Sequence, residues 1–256
     1  MADEQELYKM IKRDVSSRIL EIRSETHDTK IFRLEAPPDF EFFPGQFIML
    51  KVNIDEKRGF KIAGGKPSIQ TRAYSIASSP TQMGTIDLLI KKRENGFVSA
   101  YLNDFANAGD KVTFSGPYGK FYFREGMAKH IVLLSAGCGI SALMSMARYV
   151  ADKKMDTRVT IVQSSRTPDD ILFRKELEEM KNKGLANVVI TLTRTKPEHG
   201  WKGHTGRITA DLIKENVKDI EEAVFFICGM PEFSEQMTAM LRGLGVASER
   251  IRTERW

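Results

Sequence analysis

Residues His130–Ala142 read HIVLLSAGCGISA, and this stretch decides the fold of the second half of the chain. Five apolar or near-apolar residues, His130–Leu134, form a short buried strand; a glycine-rich turn follows, and Ile140–Lys153 then has helical periodicity. Gly137, Gly139 and Ala142 fit the pattern G-x-G-x-x-A. In a strand–turn–helix context such glycines let the backbone turn tightly and approach a pyrophosphate, whose charge the helix N-terminus favours. The competing reading is a plain strand-to-helix turn.

Downstream, strands and helices alternate. Arg158–Gln163 is the next strand. Thr167-Pro168-Asp169-Asp170 supplies an N-cap, a proline at the first helical position and an acid at the third, which predicts a helix over 168–182 that ends before Gly184. Val188–Leu192, Arg207–Glu215, Ala223–Ile227, Pro231–Leu241 and Arg250–Glu254 continue the alternation. The pattern predicts a doubly wound parallel α/β domain.

Upstream the texture differs. Ser17–Ile22, Thr29–Leu34, Gln46–Val52, Thr85–Lys91 and Lys111–Ser115 are short alternating runs, separated by turn signals at Pro37-Pro38, Pro44-Gly45, Gly64-Gly65 and Gly109-Asp110. Strands of this length and spacing predict a small antiparallel β-barrel. The change of texture falls near Arg124–Ala128, giving domains at 16–125 and 126–256 and a fold class of β plus α/β. A length of 256 residues accommodates two such domains.

Composition narrows the function. Apolar residues make up 41% and charged residues 29%, a globular balance. The net charge of +5 is spread evenly, 19 Lys and Arg against 17 Asp and Glu in residues 1–125 and 20 against 17 thereafter, so nucleic acid is not an expected partner. No apolar run reaches the ~20 residues of a membrane span and the first residues are acidic where a signal peptide is basic, so a cytoplasmic protein is expected. The two cysteines, Cys138 and Cys228, are too few for a disulfide framework, a four-cysteine zinc site or an iron–sulfur cluster. His27, His130, His199 and His204 show no metal-ligand spacing, and no metal is expected.

Further motifs bear on chemistry. The strand that follows the glycine turn ends Gln163-Ser164-Ser165-Arg166, where a strict NAD-type fold places an acid on the ribose. An arginine with hydroxyl neighbours suits a 2′-phosphate, which points to NADP(H), with NAD(H) the alternative; an ordinary surface arginine is the competing reading. Arg72-Ala73-Tyr74-Ser75 puts a cation and an aromatic plane on one strand face and a hydroxyl on the other. Gly96-Phe97-Val98-Ser99 starts a predicted helix and offers N–H groups to a second pyrophosphate. Gly116-Pro117-Tyr118-Gly119-Lys120-Phe121 is a rigid turn before the domain boundary.

Taken in order, RAYS, Pro44-Gly45-Gln46-Phe47, GFVS, GPYGKF, SAGCGISA, Ile227-Cys228-Gly229-Met230-Pro231 and the aromatic C-terminus resemble the ferredoxin–NADP reductase superfamily of two-domain flavoproteins over residues 16–256. The resemblance implies an FAD domain followed by an NAD(P) domain, with hydride passing from nicotinamide to flavin at their junction. It implies that Arg72 binds the flavin pyrophosphate, Tyr74 lies against the isoalloxazine ring, Ser75 reaches flavin N5, and Gly96 to Ser99 hold the pyrophosphate at a helix start. It implies that Gly116 and Tyr118 border the flavin, that Gly137, Cys138 and Gly139 bracket the dinucleotide phosphates, and that Cys228, with Gly229 and Met230, sits near the nicotinamide. Trp256 resembles the terminal aromatic that stacks on the flavin, and Glu254 the acid that relays to the serine at N5. Each aromatic, Cys228 and Glu254 also has a plain structural reading.

The chain departs from the family at Cys138, where many members have threonine, and at Ser141-Ala142, where many have alanine-proline. Asp55–Gln70, with Lys57, Arg58, Lys61 and Lys66, is a longer basic loop, read either as a surface insertion or, with Lys91, Lys92 and Arg93, as a docking site for an acidic electron-transfer partner. The expected function is an FAD-containing NAD(P)H reductase handing single electrons to a separate protein: a ferredoxin, a flavodoxin or an oxygenase component. The alternative is an electron-transfer flavin subunit of a larger complex.

Overall fold

A computed structural model describes residues 14–54, 60, 68–196 and 200–255. The chain divides into two compact units, Met1–Tyr122 and Phe123–Trp256, each with its own sheet.

The first unit is a six-stranded antiparallel sheet built from β1 (Asp14–Thr26), β2 (Thr29–Glu35), β3 (Phe47–Asn53), β4 (Ile69–Ser75), β5 (Thr85–Lys91) and β6 (Lys111–Tyr118), in the order β4-β3-β6-β1-β2-β5. Alternation drives it: along β1, Val15, Ser17 and Ile19 turn inward and their neighbours face solvent. The inward Ser17 hydroxyl donates to the Glu35 carbonyl at 2.7 Å, so it is buried without loss. The two ends of the sheet meet. Ile76, just past β4, bridges Leu88 of β5, and the Ala77 N–H donates to the Asp87 carbonyl at 2.8 Å, closing the sheet into a barrel. Closure removes exposed strand edges. Asp87, buried within the apolar run of β5, is satisfied by the Arg33 fork at 2.8 and 2.9 Å. One helix, α1 (Phe97–Phe105), follows β5; its buried residues Val98, Tyr101 and Leu102 join the barrel core.

The second unit is a six-stranded parallel sheet: β7 (His130–Ala136), β8 (Arg158–Ser165), β9 (Asn187–Leu192), β10 (His204–Thr205), β11 (Val224–Gly229) and β12 (Ile251–Arg255), in the order β10-β9-β8-β7-β11-β12. The chain runs outward from β7 to one side, then returns for β11 on the other, so β7 and β11 flank the switch point of the sheet. The helices α4 (Ala210–Asn216) and α5 (Pro231–Gly243) cover one face through Leu212, Ile213, Met237 and Leu241, against Val132, Leu134, Val162, Phe225 and Ile227. The helix α2 (Ile140–Asp152) packs on β7 and β11 from the other face.

One expected helix is broken. The capping box of Thr167 and Asp170 is present, but it caps a single 3-10 turn, Pro168–Asp170. Ile171, Leu172 and Phe173 then turn inward, Phe173 adopts a left-handed backbone (φ 56°), and α3 spans Arg174–Asn182. Long-range contacts override the local helix signal here. Arg148 of α2 forks onto Glu176 at 2.7 and 2.6 Å and lies over the Phe173 ring at 5.0 Å.

Candidate functional site

In the barrel, three motifs far apart in sequence converge on one rim. Strand registers pair Phe47 with Ser75 on one side and with Tyr118 on the other, so the ends of PGQF, RAYS and GPY form one row. The Phe47 and Tyr118 rings lie 5.8 Å apart, and the Tyr118 hydroxyl donates to Ser115 Oγ at 3.2 Å. Ser75 is buried, while Tyr74 is half-buried and packs on the barrel core. Ala73 pairs with Met49, and Arg72 pairs with Leu50 with its guanidinium exposed, donating to the Thr71 carbonyl at 2.7 Å. Gly116 is required where β6 crosses β3: at φ 152°, a Cβ there would stand 3.1 Å from Ile48 Cγ2 and 3.2 Å from the Phe47 carbonyl.

Gln46, the third residue of Pro44-Gly45-Gln46-Phe47, ties this rim together. Fully buried, it accepts from the Phe43 N–H at 2.8 Å, donates to the Gly119 carbonyl at 3.2 Å, and accepts the Ile76 N–H on its own carbonyl at 3.0 Å.

The second barrel feature is the start of α1. No side chain caps Gly96 and no acid lies in the first turn, so the positive end of the helix dipole is left for an anion. Gly96 has no space for a side chain, which would meet Ser99 Oγ and stand 2.8 Å from Arg93 Cβ. The Ser99 hydroxyl accepts from the Arg93 N–H at 3.1 Å, which folds the turn tightly around Gly96. Val98 is anchored in the core and Phe97 packs against it. The exposed Arg72 guanidinium on β4 and the uncapped start of α1 after β5 are two features of the same unit that suit an anion. Of the expected docking cations, Lys91 pairs with Asp28 at 2.5 Å and Lys92 with Asp104 at 2.6 Å. The basic residues Lys57, Arg58, Lys61 and Lys66 lie outside the described residues.

In the second unit the glycine turn, Gly137–Gly139, is a 3-10 turn leading directly into α2, whose first turn also has no acid and no capping side chain. The two glycines do different work. Gly137 holds φ 56° and a Cβ there would meet nothing within 4 Å, which leaves open space above the turn. Gly139 is pressed onto the end of β11. A Cβ on it would stand 2.9 Å from the Gly229 nitrogen and closer still to the Cys228 carbonyl. The turn and Cys228 are therefore locked together at the switch point. Cys138 is half-buried and Cys228 fully buried. Gly229 makes room for the Phe233 ring, and Met230, 65% exposed, precedes α5. Glu254 of β12 is in register with Cys228. Trp256 lies outside the described residues.

At the end of β8, Ser164 is half-buried, Ser165 is buried, and Arg166 is 49% exposed with its guanidinium 3.5 Å from Asp170. Arg194 escaped the motif reading because it follows a different strand. Its N–H donates to the Arg166 carbonyl at 2.8 Å, which sets two exposed arginines side by side. Among the described residues no group of three His, Cys, Asp or Glu could hold a metal, and no helix is long and apolar enough to cross a membrane.

Comparison with known proteins agrees with this geometry. Residues 16–123 match the family model of the oxidoreductase FAD-binding domain, and residues 133–239 that of the oxidoreductase NAD-binding domain. The chain is 30% identical, over 93% of its length, to the glycine betaine monooxygenase reductase subunit of Pseudomonas aeruginosa, and spans 63% of that protein. It is also 30% identical to an NADH-cytochrome b5 reductase 2 of Aspergillus terreus, covering 93% of this chain and 77% of the relative. Among solved structures, the ferredoxin reductase in carbazole 1,9a-dioxygenase is 25% identical with a TM-score of 0.79, covering 95% of this chain and 69% of that one. The chain belongs to the ferredoxin–NADP reductase-like superfamily of flavoprotein oxidoreductases, with an FAD-binding domain followed by an NAD-binding domain.

Proposed function

We infer that this chain is an FAD-dependent NAD(P)H reductase that passes electrons to a separate protein acceptor. The observation that carries this reading is the packing of Gly139 on Cys228, which joins a phosphate-binding turn to a buried thiol at the switch point of a parallel sheet. The reductase names of the relatives support it. FAD and the nicotinamide, when bound, supply hydride transfer and one-electron release, chemistry that side chains alone do not provide.

The side chains bind, orient and exclude water. Arg72 and the start of α1, Gly96 to Ser99, hold the flavin pyrophosphate by charge and N–H groups. Tyr74, half-buried against the core, gives the flavin ring a flat apolar wall, with Gly116 and Tyr118 on the same rim. Ser75 offers a hydroxyl to flavin N5. Gly137, Cys138 and Gly139 receive the dinucleotide phosphates, and Cys228, Gly229 and Met230 border the nicotinamide. Glu254, in register with Cys228, stands ready to hold a proton there, and Trp256 covers the flavin as a displaceable lid.

Arg166 and Arg194, with Ser164 and Ser165, make a 2′-phosphate site and favour NADPH. One observation favours NADH instead: Asp170 lies 3.5 Å from the Arg166 guanidinium and offsets part of its charge. Both cysteines of these 256 residues lie in the nucleotide-binding unit and cannot ligate an iron–sulfur cluster, so electrons leave these residues for an acceptor. An oxygenase component is the acceptor class favoured by the monooxygenase reductase relative.

The purified chain loaded with FAD should show a flavin spectrum that bleaches on anaerobic addition of NADPH or NADH. A protein that takes up no FAD would defeat the enzyme reading, and a flavoprotein reduced by neither nicotinamide would favour a subunit role.

A further inference from the structure

The turn that delivers the chain into α1 is built on a chemically labile pair. Asn95-Gly96 is the single Asn-Gly step among the seven asparagines of the chain, and the backbone asks for both of its residues. Asn95 holds φ 58°, in the left-handed region that glycine and asparagine enter most readily. Gly96 is the N-cap of α1, with its carbonyl accepting the Ala100 N–H at 3.1 Å. A Cβ on Gly96 would stand 2.8 Å from Arg93 Cβ and closer still to Ser99 Oγ. A left-handed residue followed by one with no room for a side chain suits Asn-Gly.

The same features make the pair reactive. Glycine carries no side chain to shield its backbone nitrogen, and the Asn95 side chain is exposed and makes no hydrogen bond among the described residues. The carboxamide carbon is open to attack by the Gly96 nitrogen. In that step the Gly96 N–H gives its proton to hydroxide, the nitrogen bonds to Asn95 Cγ, and the Cγ–Nδ2 bond breaks with release of ammonia. Water then opens the cyclic imide at either carbonyl. One opening gives aspartate; the other gives isoaspartate, with the main chain rerouted through Cβ. No electrons change hands, and water is the only co-reactant consumed. The closed turn acts as a brake. The Gly96 N–H donates to the Arg93 carbonyl at 2.9 Å, and the Arg93 N–H donates to Ser99 Oγ at 3.1 Å, so the nucleophile keeps its proton and its place until the turn opens.

We propose that Asn95 is a site of spontaneous deamidation that weakens flavin binding, and that bound FAD protects it. The new carboxylate stands immediately before the uncapped positive end of α1, where it repels the flavin pyrophosphate and takes up the charge preference of the helix start. Isoaspartate also adds a methylene to the main chain inside the tight turn. A pyrophosphate seated on α1 holds that turn closed, so the flavin-free chain ages first. The link to flavin rests on the function inferred above; the lability of Asn95 does not.

Two measurements on the full chain test the proposal. After incubation at mildly alkaline pH, peptide mass mapping of the flavin-free protein should find Asn95 converted to aspartate and isoaspartate before any other asparagine, and saturating FAD should slow the conversion several-fold. Ser99→Ala, which removes the acceptor of the Arg93 N–H, should hasten it in the flavin-free protein. Asn95→Asp should bind FAD about three- to tenfold more weakly than the unaltered chain at low salt, the worth of one charge at a helix start, and the gap should close as salt is raised. Asn95→Gly, which keeps the left-handed turn and has no amide to lose, should bind FAD as the unaltered chain does and hold that affinity through the same incubation. Conversion at Asn95 no faster than elsewhere, or unchanged FAD affinity in Asn95→Asp, would overturn the proposal. A chain that takes up no FAD would instead overturn the functional reading, and the peptide map would still decide whether Asn95 is the labile site.

Discussion

Gly139 and Gly137 look interchangeable in the motif, and alanine at each separates two kinds of glycine. At Gly137 an added methyl enters open space, and the cost is the left-handed backbone, about 1–2 kcal/mol. At Gly139 the methyl would stand 2.9 Å from the Gly229 nitrogen and nearer to the Cys228 carbonyl. Ordinary contact requires the turn to retreat from β11 by roughly an ångström, an overpacking cost of about 3 kcal/mol at the upper end of its range. That corresponds to a fall of about 1–3 M in urea midpoint for Gly139→Ala, against about one-third to two-thirds of that for Gly137→Ala. Both tryptophans, Trp201 and Trp256, belong to the nucleotide-binding unit, so fluorescence during urea unfolding follows this unit alone. Because the retreat also moves the turn relative to Cys228, flavin reduction in Gly139→Ala should slow by about 100-fold. The reasoning fails if Gly139→Ala unfolds at the same urea concentration as Gly137→Ala, or at a higher one.

Other consequences are equally open to measurement. Burial pushes the Asp219 carboxyl up, but the hydrogen bond and charge of His130, its own backbone N–H and the Arg158 charge outweigh it and hold the carboxyl below its usual value. A lowered carboxyl stabilises the folded unit above the unfolded pKa of about 3.9 and ceases to do so as pH falls through its folded value. Asp219→Asn should therefore flatten the acid limb of a stability–pH curve, and an unchanged limb would contradict this role. Arg166→Ala should raise the KM for NADPH by about 10- to 100-fold and leave that for NADH nearly unchanged, whereas Asp170→Asn should lower the KM for NADPH; equal effects on both coenzymes would remove the 2′-phosphate site. Arg72→Ala should weaken FAD binding by about tenfold or more and reduce its salt dependence, and an unaltered flavin titration would free Arg72 from the pyrophosphate. Trp256→Ala should change nicotinamide affinity or specificity, and unaltered kinetics and flavin spectrum would take Trp256 off the flavin.

What the sequence makes legible is local. The strand–glycine–helix signature at His130–Ala142 and the alternation of β1 depend on neighbours within a turn or a pleat, and both appear in the structure. What it conceals depends on distant partners. Asp87 reads as a flaw in an apolar strand until Arg33, 54 residues away, is seen to fork onto it. The helix expected over 168–182 breaks at Phe173 because Arg148 and the core draw Ile171–Phe173 inward. Gly139 reads as a phosphate glycine, and its tightest constraint turns out to be the end of β11. Arg194 belongs to no short motif, and a backbone hydrogen bond sets it beside Arg166; Gln46 lies within PGQF, but the partners of its buried side chain, Phe43 and Gly119, appear only in the fold.

The central claim, that these residues carry reducing equivalents from nicotinamide through flavin to a one-electron acceptor, reduces to a stoichiometry. Under anaerobic conditions one equivalent of NADPH or NADH should bleach the FAD-loaded chain completely, and two equivalents of ferricyanide should restore the oxidised spectrum. Flavin that stays oxidised after nicotinamide addition, or that once reduced does not return electrons to ferricyanide, would contradict it.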